Sequence, residues 1–418
     1  MTNLFSMEYL IESNPAFLLL RITENDYVFY NSLQHIGARL TKVEVQILDM
    51  IYTYQDKDYI LLKFPDIHKN TIKRAIEAVK NLNLLCLEEI TEQKKTELVY
   101  PSEFYVHLTY RCNLKCSYCY NKSIRESFRQ GLSLDEWKRI IDKIVPYAKR
   151  IVLTGGELFL YDEIAYLLEY VQNKKTSIQI SAISNGMHNF EKLSKKGVFK
   201  YLSEISMSCD RLDNEGERKG FDSILFRDNV LWLKQNHPEI RLTIASVCTR
   251  NNYGEISNTV NFCKDHGIVF DKTVLLPSSA AEIDLMPSIS DLIHDHEPQN
   301  DPIKKLKKAR FRCSAGIGVC SIDPYGNVFP CQSLHYEEFK LGNLIESSLE
   351  SIVNGSFKMK GVNEIPVCSR CNVKYICGGG CLASGYSLYN HRLERNHLTC
   401  TLNRENSIAI LKSLSNRI

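Results

Sequence analysis

At 418 residues the chain is too long for one compact core and divides into two or three domains. Apolar residues make up 44% of it, enough for each domain to bury a core, and the net charge of +3 mixes both signs, which offers nothing to a polyanion such as nucleic acid. MTNLFSMEYL lacks the basic and long apolar regions of a secretory signal, and no apolar run is long enough to span a membrane, so the expected location is cytoplasmic, off the membrane.

Residues 1–95 read as a winged-helix-like α+β unit. FLLLRI (17–22) and DYVFYN (26–31) form a hairpin around TEND. LTKVEVQILDMIYTY (40–54) has helical apolar spacing with Thr41 as N-cap, and 68–85 is a second amphipathic helix. A polar stretch, 91–103, follows as a linker. From 103 to 280 strand and helix alternate. Strands are expected at 103–110, 150–155, 177–184, 204–209, 241–248 and 269–276, and helices at 133–149, 162–174, 221–236 and 253–267. Six such repeats imply an α/β fold with a parallel sheet, either an incomplete (β/α)6 barrel or a doubly wound sheet. In both, the site lies at the carboxyl ends of the strands. Residues 281–312 bridge to the last part, and their basic run KKLKKAR (304–310) reads as a solvated helix face. Residues 313–418 are rich in Cys and Gly, with one helix at 345–355 and a C-terminal helix. This part is too poor in apolar residues to fold without metal staples.

Fifteen cysteines in a reducing compartment argue for metal rather than disulfides. Cys112, Cys116 and Cys119 cluster just after the first barrel strand. Eight more lie between 313 and 400, while Cys86, Cys209, Cys248 and Cys263 are scattered. A Cys-x3-Cys-x2-Cys loop can wrap one face of a cubane iron–sulfur cluster. Structural zinc wants a fourth ligand, and none is near in sequence. Three ligands to four irons leave one iron open to bind something.

RCNLKCSYCY (111–120) resembles the signature loop of the radical S-adenosylmethionine (SAM) enzymes. The resemblance implies that a [4Fe-4S] cluster on Cys112, Cys116 and Cys119 chelates SAM and cleaves it to a 5′-deoxyadenosyl radical. Tyr118 stands where the family has an aromatic residue beside the adenine. LTGGELFL (153–160) resembles the family's Gly-Gly-Glu motif. Gly155 and Gly156 would let the backbone approach the ligand, and Glu157 would offer a carboxylate to its ammonium. Asn185 in ISNG, Ser206 as a ribose contact and Arg218 as a carboxylate partner complete the implied SAM contacts. Ser208 replaces an aspartate common in relatives.

The C-terminal cysteines resemble the SPASM extension, which carries two auxiliary [4Fe-4S] clusters, three clusters in all. Carried over, one would take Cys313, Cys320, Cys331 and Cys381, and the other Cys368, Cys371, Cys377 and Cys400. Should Cys320 be free, the first would keep an open iron. Residues 1–95 resemble the leader-recognition element of ribosomal peptide maturases. There a precursor peptide's leader adds a strand at a sheet edge, here near 33–40, and packs on the helix 68–85. The module order implies a maturase that cross-links a precursor peptide, by a thioether or next a carbon–carbon bond, drawing electrons from a donor such as flavodoxin or ferredoxin. Alternatives are a formylglycine-forming sulfatase maturase, a peptide epimerase with Cys248 as hydrogen donor, and a non-catalytic electron-transfer or peptide-chaperone protein.

Overall fold

The computed structural model describes residues 17–21, 23–31, 36–54, 100–128, 130–275, 277, 280–288, 312–353, 357–386, 388–389 and 392–414. The expected helix at 68–85, most of the linker and the basic run at 304–310 lie outside them.

Near the N-terminus three strands, β1 (Phe17–Arg21), β2 (Asp26–Asn31) and β3 (Ile36–Thr41), form an antiparallel sheet in that order. The β1–β2 pairing matches Phe17 with Asn31 and Arg21 with Tyr27, as the hairpin reading requires. Helix α1 (Lys42–Tyr54) follows β3 directly. Its start is a capping box: the Thr41 hydroxyl accepts from Glu44 N at 3.2 Å, and Thr41 N donates to the Glu44 carboxylate at 2.8 Å.

The central unit runs β4 (Glu103–Thr109), β5 (Lys115–Cys116), α2 (Lys122–Ser127), α3 (Leu134–Ile144), β6 (Arg150–Gly155), α4 (Ile164–Lys174), β7 (Gln179–Ser184) and α5 (Phe190–Lys195). It continues with β8 (Glu204–Ser208), β9 (Arg218–Lys219), α6 (Ser223–Asn236), β10 (Arg241–Cys248), α7 (Ile256–Asp265) and β11 (Val269–Val274). The six expected strands are present, parallel, and ordered β11-β10-β8-β7-β6-β4. This order decides between the two architectures. Each strand lies beside its predecessor in the chain, so right-handed crossovers put every helix on one face. A doubly wound sheet reverses direction; this one does not, and it is a partial barrel. Helix α3 shows the local cause of its packing. Ser133 and Glu136 cap it reciprocally, and Trp137, Ile140, Ile141 and Ile144 bury one stripe. Along β4, Phe104, Val106 and Leu108 enter the helix-side core, which turns Tyr105, His107 and Thr109 to the inner face.

After 312 come β12 (Val319–Ile322), β13 (Asn327–Phe329), β14 (Gly342–Asn343) and short helices α8 (Leu349–Val353), α9 (Pro366–Ser369), α10 (Lys374–Cys377) and α11 (Ala383–Tyr386). The long helix α12 (His397–Leu414) closes this part. Strand β12 pairs in parallel with β4, Cys320 opposite Phe104, and β13 and β14 continue the sheet. The docking of β12 on β4 was not legible, because nothing local in the sequence marks β4 as an edge needing cover. A second junction joins the chain's two ends: Leu18, Leu20 and Tyr30 pack with Val373, Ile376, Cys371, Ile408 and Leu411. Among the described residues no helix is long and apolar enough to cross a membrane.

Ending the chain before residue 312 uncovers the β4 edge and the core beneath Cys320, Ile322 and Val328. The expected result is a self-associating barrel; a monodisperse monomer on size exclusion would contradict this packing account.

Candidate active site

The chain between β4 and β5 is set by backbone contact with the turn after β6. Gly156 N donates to Thr109 O at 2.7 Å, and Glu157 N donates to Arg111 O at 2.8 Å. A Cβ on Gly155 would collide with the Thr109 carbonyl, and one on Gly156 with the carbonyls of Tyr110 and Arg111. Gly155 also has φ of +150°. The two glycines thus admit the chain's own backbone, one residue before Cys112. Further along, the loop pairs with a distant segment, Lys115–Cys116 with Arg218–Lys219.

Cys112, Cys116 and Cys119 line one side of a cavity of about 730 Å³ at the carboxyl ends of the strands, together with Gly155, Gly156, Asn185 and Ser208. Leu114 N points at Cys112 Sγ at 3.4 Å, and Arg218 Nη1 stands 4.0 Å from Cys116 Sγ. Burial pushes the Cys116 thiol up to about 11, against the pull of Arg218. Asn185 Nδ2 donates to Asn113 Oδ1 at 2.7 Å and lies 3.9 Å from Cys112 Sγ, so it braces the loop from the end of β7.

Sequence reasoning missed Asp210, the hub beside this loop. Its buried carboxylate takes the Tyr118 hydroxyl, the Arg218 guanidinium (Nε 3.1 Å, Nη2 3.2 Å) and Val247 N at 3.0 Å. Arg218 therefore has an internal carboxylate partner, and Tyr118 is held rigid on the cavity wall. The signal was present: an acid two residues beyond Ser208, just past the strand end.

Other expected residues stand elsewhere. Glu157 is buried behind the glycines, and the cavity lining among the described residues does not include it. Its carboxylate accepts from Asn185 N at 2.7 Å, Ser184 Oγ at 2.9 Å and Phe159 N at 3.2 Å. Burial raises it to about 7 despite these donors. It ties the end of β6 to the end of β7. Ser208, and not Ser206 two residues deeper, reaches the cavity. Cys248 is fully buried with Ile256 and Leu402 on the helix side; strand alternation turns Val247, not Cys248, to the cavity.

The C-terminal part supplies the opposite wall, with Gln332, Ser333, His335, Tyr336, Cys381 and Ser384. His335 sits in a directed hydrogen-bond chain. Ser321 Oγ donates to Tyr105 O at 3.2 Å, so it accepts from His335 Nε2 at 2.8 Å, which leaves Nδ1 to accept from the Tyr110 hydroxyl at 2.7 Å. Burial pushes His335 down to about 4. Its neighbour His107, ring centroids 4.6 Å apart, is fully buried, and neither ring nitrogen has a hydrogen-bond partner among the described residues.

The eight C-terminal cysteines fall into neighbourhoods. Cys331 has Cys381 and Cys313 as electrostatic neighbours; Cys368 has Cys371, Cys377 and Cys400. Cys320 lies within reach of Cys331, yet it is fully buried on the helix face of β12, in the barrel core beside Ile322 and Phe104. Cys313 and Cys331 belong to a different apolar cluster. Among the described residues no three His, Cys, Asp or Glu side chains converge tightly enough for a single ion. The loop thiols and Cys381 line the cavity, and N–H groups lie near the sulfurs of Cys112, Cys116, Cys368 and Cys377, a setting that suits iron–sulfur clusters.

Because Cys320 packs as a core residue, Cys320→Val is expected to keep the iron content of the reconstituted protein unchanged; loss of about one cluster's four irons would assign Cys320 as a ligand. His335 gives a pH signature. Its folded pKa of about 4 lies below the ordinary 6.5, so from pH 6.5 downward the unfolded chain takes a proton that the folded ring refuses. Stability should fall by up to about 3 kcal/mol between pH 6.5 and 4. His335→Gln should flatten that slope in urea titrations, and an unchanged slope would contradict it.

Residues 106–279 match the family described as the radical SAM superfamily, and residues 313–372 match the iron–sulfur cluster-binding domain SPASM. The antilisterial bacteriocin subtilosin biosynthesis protein AlbA of Bacillus subtilis is 26% identical over 361 residues, covering 78% of this chain and 79% of that protein. The mycofactocin maturase MftC of Mycolicibacterium smegmatis is 24% identical over 324 residues, covering 71% and 82%. The structure of Streptococcus suis SuiB bound to precursor peptide SuiA shares the fold, with a TM-score of 0.54 at 18% identity over 92% of this chain and 98% of that one. The chain carries a radical SAM domain followed by a SPASM iron–sulfur domain, which marks it as an enzyme that uses SAM and iron–sulfur clusters.

Proposed function

We propose that this enzyme matures a ribosomally made precursor peptide in the cytoplasm by installing an intrapeptide cross-link, a thioether first and a carbon–carbon bond second. One observation carries the reading: the cavity lined by Cys112, Cys116 and Cys119 is closed on its far side by the SPASM part, with Cys381 on that wall. A substrate there meets both cysteine fields at once. Its volume of about 730 Å³ lies within the range of ligand pockets. Bound to the three loop cysteines, a [4Fe-4S] cluster would supply the electron that cleaves SAM, and so the radical that takes hydrogen from the peptide.

The chain's own residues would do the rest. The Gly155–Gly156 backbone and Asn185 form the wall next to the loop, and Tyr118, fixed by Asp210, holds an aromatic face at it. Arg218 contributes a cation already balanced by Asp210. The neutral His335 on the opposite wall, held between Tyr110 and Ser321, keeps that side uncharged near pH 7. Among the described residues β3 has a strand partner on one side only, which supports the reading that a leader peptide adds a strand at its outer edge. Flavodoxin or ferredoxin would supply the reducing electrons. The names of AlbA and MftC, and the precursor peptide bound by SuiB, support the peptide substrate. An epimerase would need a hydrogen donor, and Cys248 lies behind the sheet.

Anaerobic co-expression with the short reading frame beside its gene should lower that peptide's mass by two hydrogens per link, with fragmentation and thiol alkylation separating the bond types. An unchanged mass with deuterium uptake from heavy water would replace the cross-link with epimerisation.

A further inference from the structure

The two C-terminal thiol sets have opposite surroundings. Cys381 opens onto the cavity, and the groups that favour the thiolates of its set are neutral: backbone N–H of Ser333 and Leu334 beside Cys331, and the Ser384 hydroxyl beside Cys381. In the set of Cys368, Cys371, Cys377 and Cys400, Cys368 is buried, the other three are half-buried, and none lines this cavity. Leu18, Leu20 and Tyr30 of the N-terminal sheet pack with Val373, Ile376 and Leu411 against Cys371.

Two cations are buried in this second place. Arg395 is 5% exposed and Lys374 is 4% exposed. Arg395 Nη1 lies 3.2 Å from Cys368 Sγ, and Nη2 lies 3.9 Å from Cys377 Sγ. Its Nε has no hydrogen-bond partner, and among the described residues no carboxylate pairs with it. Lys374 Nζ donates to Ser369 O at 2.7 Å and has Cys371 and Cys368 as electrostatic neighbours. A guanidinium buried without a carboxylate is costly unless another anion neutralises it. Among the described residues the sulfurs of Cys368 and Cys377 are the candidates in contact, and they neutralise it as thiolates.

We infer that Arg395 is a positioning residue for redox: it holds the cluster on Cys368, Cys371, Cys377 and Cys400 at a higher reduction potential than the one on Cys313, Cys331 and Cys381. This rests on the reading that both sets hold [4Fe-4S] clusters. The physical reason is charge. One-electron reduction adds a negative charge to an already anionic centre, and in a dry site a cation bonded to its sulfurs favours that reduced form. Beside the first set Cys381 is exposed to the cavity, and among the described residues no buried cation lies within hydrogen-bond distance of its sulfurs. The second therefore takes an electron first, and the N-terminal sheet packed beside Cys371 lowers the dielectric there.

The test uses the full chain, reconstituted anaerobically, with iron and sulfide counted before a potentiometric titration followed by electron paramagnetic resonance. Wild type should hold three clusters, with the two auxiliary signals titrating at separate potentials. Arg395→Gln should retain the clusters and lower the higher midpoint, cutting the reduced-to-oxidised ratio at fixed potential at least tenfold, which is 59 mV for a one-electron couple. Arg395→Lys keeps the charge and should recover most of the shift. A full iron complement with unmoved midpoints in Arg395→Gln would overturn the inference alone. So would loss of one cluster in both variants, since shape rather than charge would then matter. A wild-type chain holding a single cluster would overturn the underlying reading, and the inference with it.

Discussion

Everything at this site depends on how closely two stretches of backbone approach. The Gly155–Gly156 turn lies directly on the carbonyls of Thr109, Tyr110 and Arg111, and two N–H donors lock it there. Any side chain at either glycine would drive the strands' carboxyl ends apart. Because Cys112 follows Arg111 immediately, this contact fixes where the three-thiol loop leaves the sheet. Glu157 then binds the ends of β6 and β7 from behind, with Ser184 and Asn185 as its donors. The motif that sequence reading assigned to ligand contact is, first of all, the clamp that builds the cavity wall.

Charge is arranged with equal economy. Near the loop a buried Arg218 is balanced by Asp210, so the cavity gains a hydrogen-bonding cation without an unpaired charge. Near the far thiols a buried Arg395 has no carboxylate partner among the described residues, and its guanidinium rests on the sulfurs of Cys368 and Cys377. Between the two, His335 is kept neutral by burial and locked in one tautomer by Tyr110 and Ser321. Three similar problems of burying polar groups have three solutions, and each tells what stands beside it.

Much of this was legible in the sequence, because local rules carried it. Six strands with amphipathic helices between them gave a parallel α/β sheet, and the family resemblance carried by the cysteine motifs implied the barrel and the grouping of the C-terminal thiols. Thr41 was readable as a cap from its position before an apolar run. What failed was non-local. Asp210 sits two residues beyond the expected place, and only the fold brings Tyr118 and Arg218 to it. Cys320, which the resemblance left open as a ligand, is set toward the core by strand alternation on β12 and keeps Cys331 as an electrostatic neighbour. Cys248 fails for the same reason, one residue past the position that faces the cavity. Docking of β12 on β4, and of the N-terminal sheet on Cys371, depends on edges and faces that no single segment announces.

The most direct test substitutes a residue that touches no sulfur. Gly156→Ala leaves all three loop cysteines in place but puts a methyl group into the carbonyls of Tyr110 and Arg111. Iron content and reductive SAM cleavage to 5′-deoxyadenosine would be measured beside wild type. The account predicts that both fall sharply in the variant, with the auxiliary clusters retained. A variant with full iron and full SAM cleavage would contradict the claim that this backbone contact positions the loop.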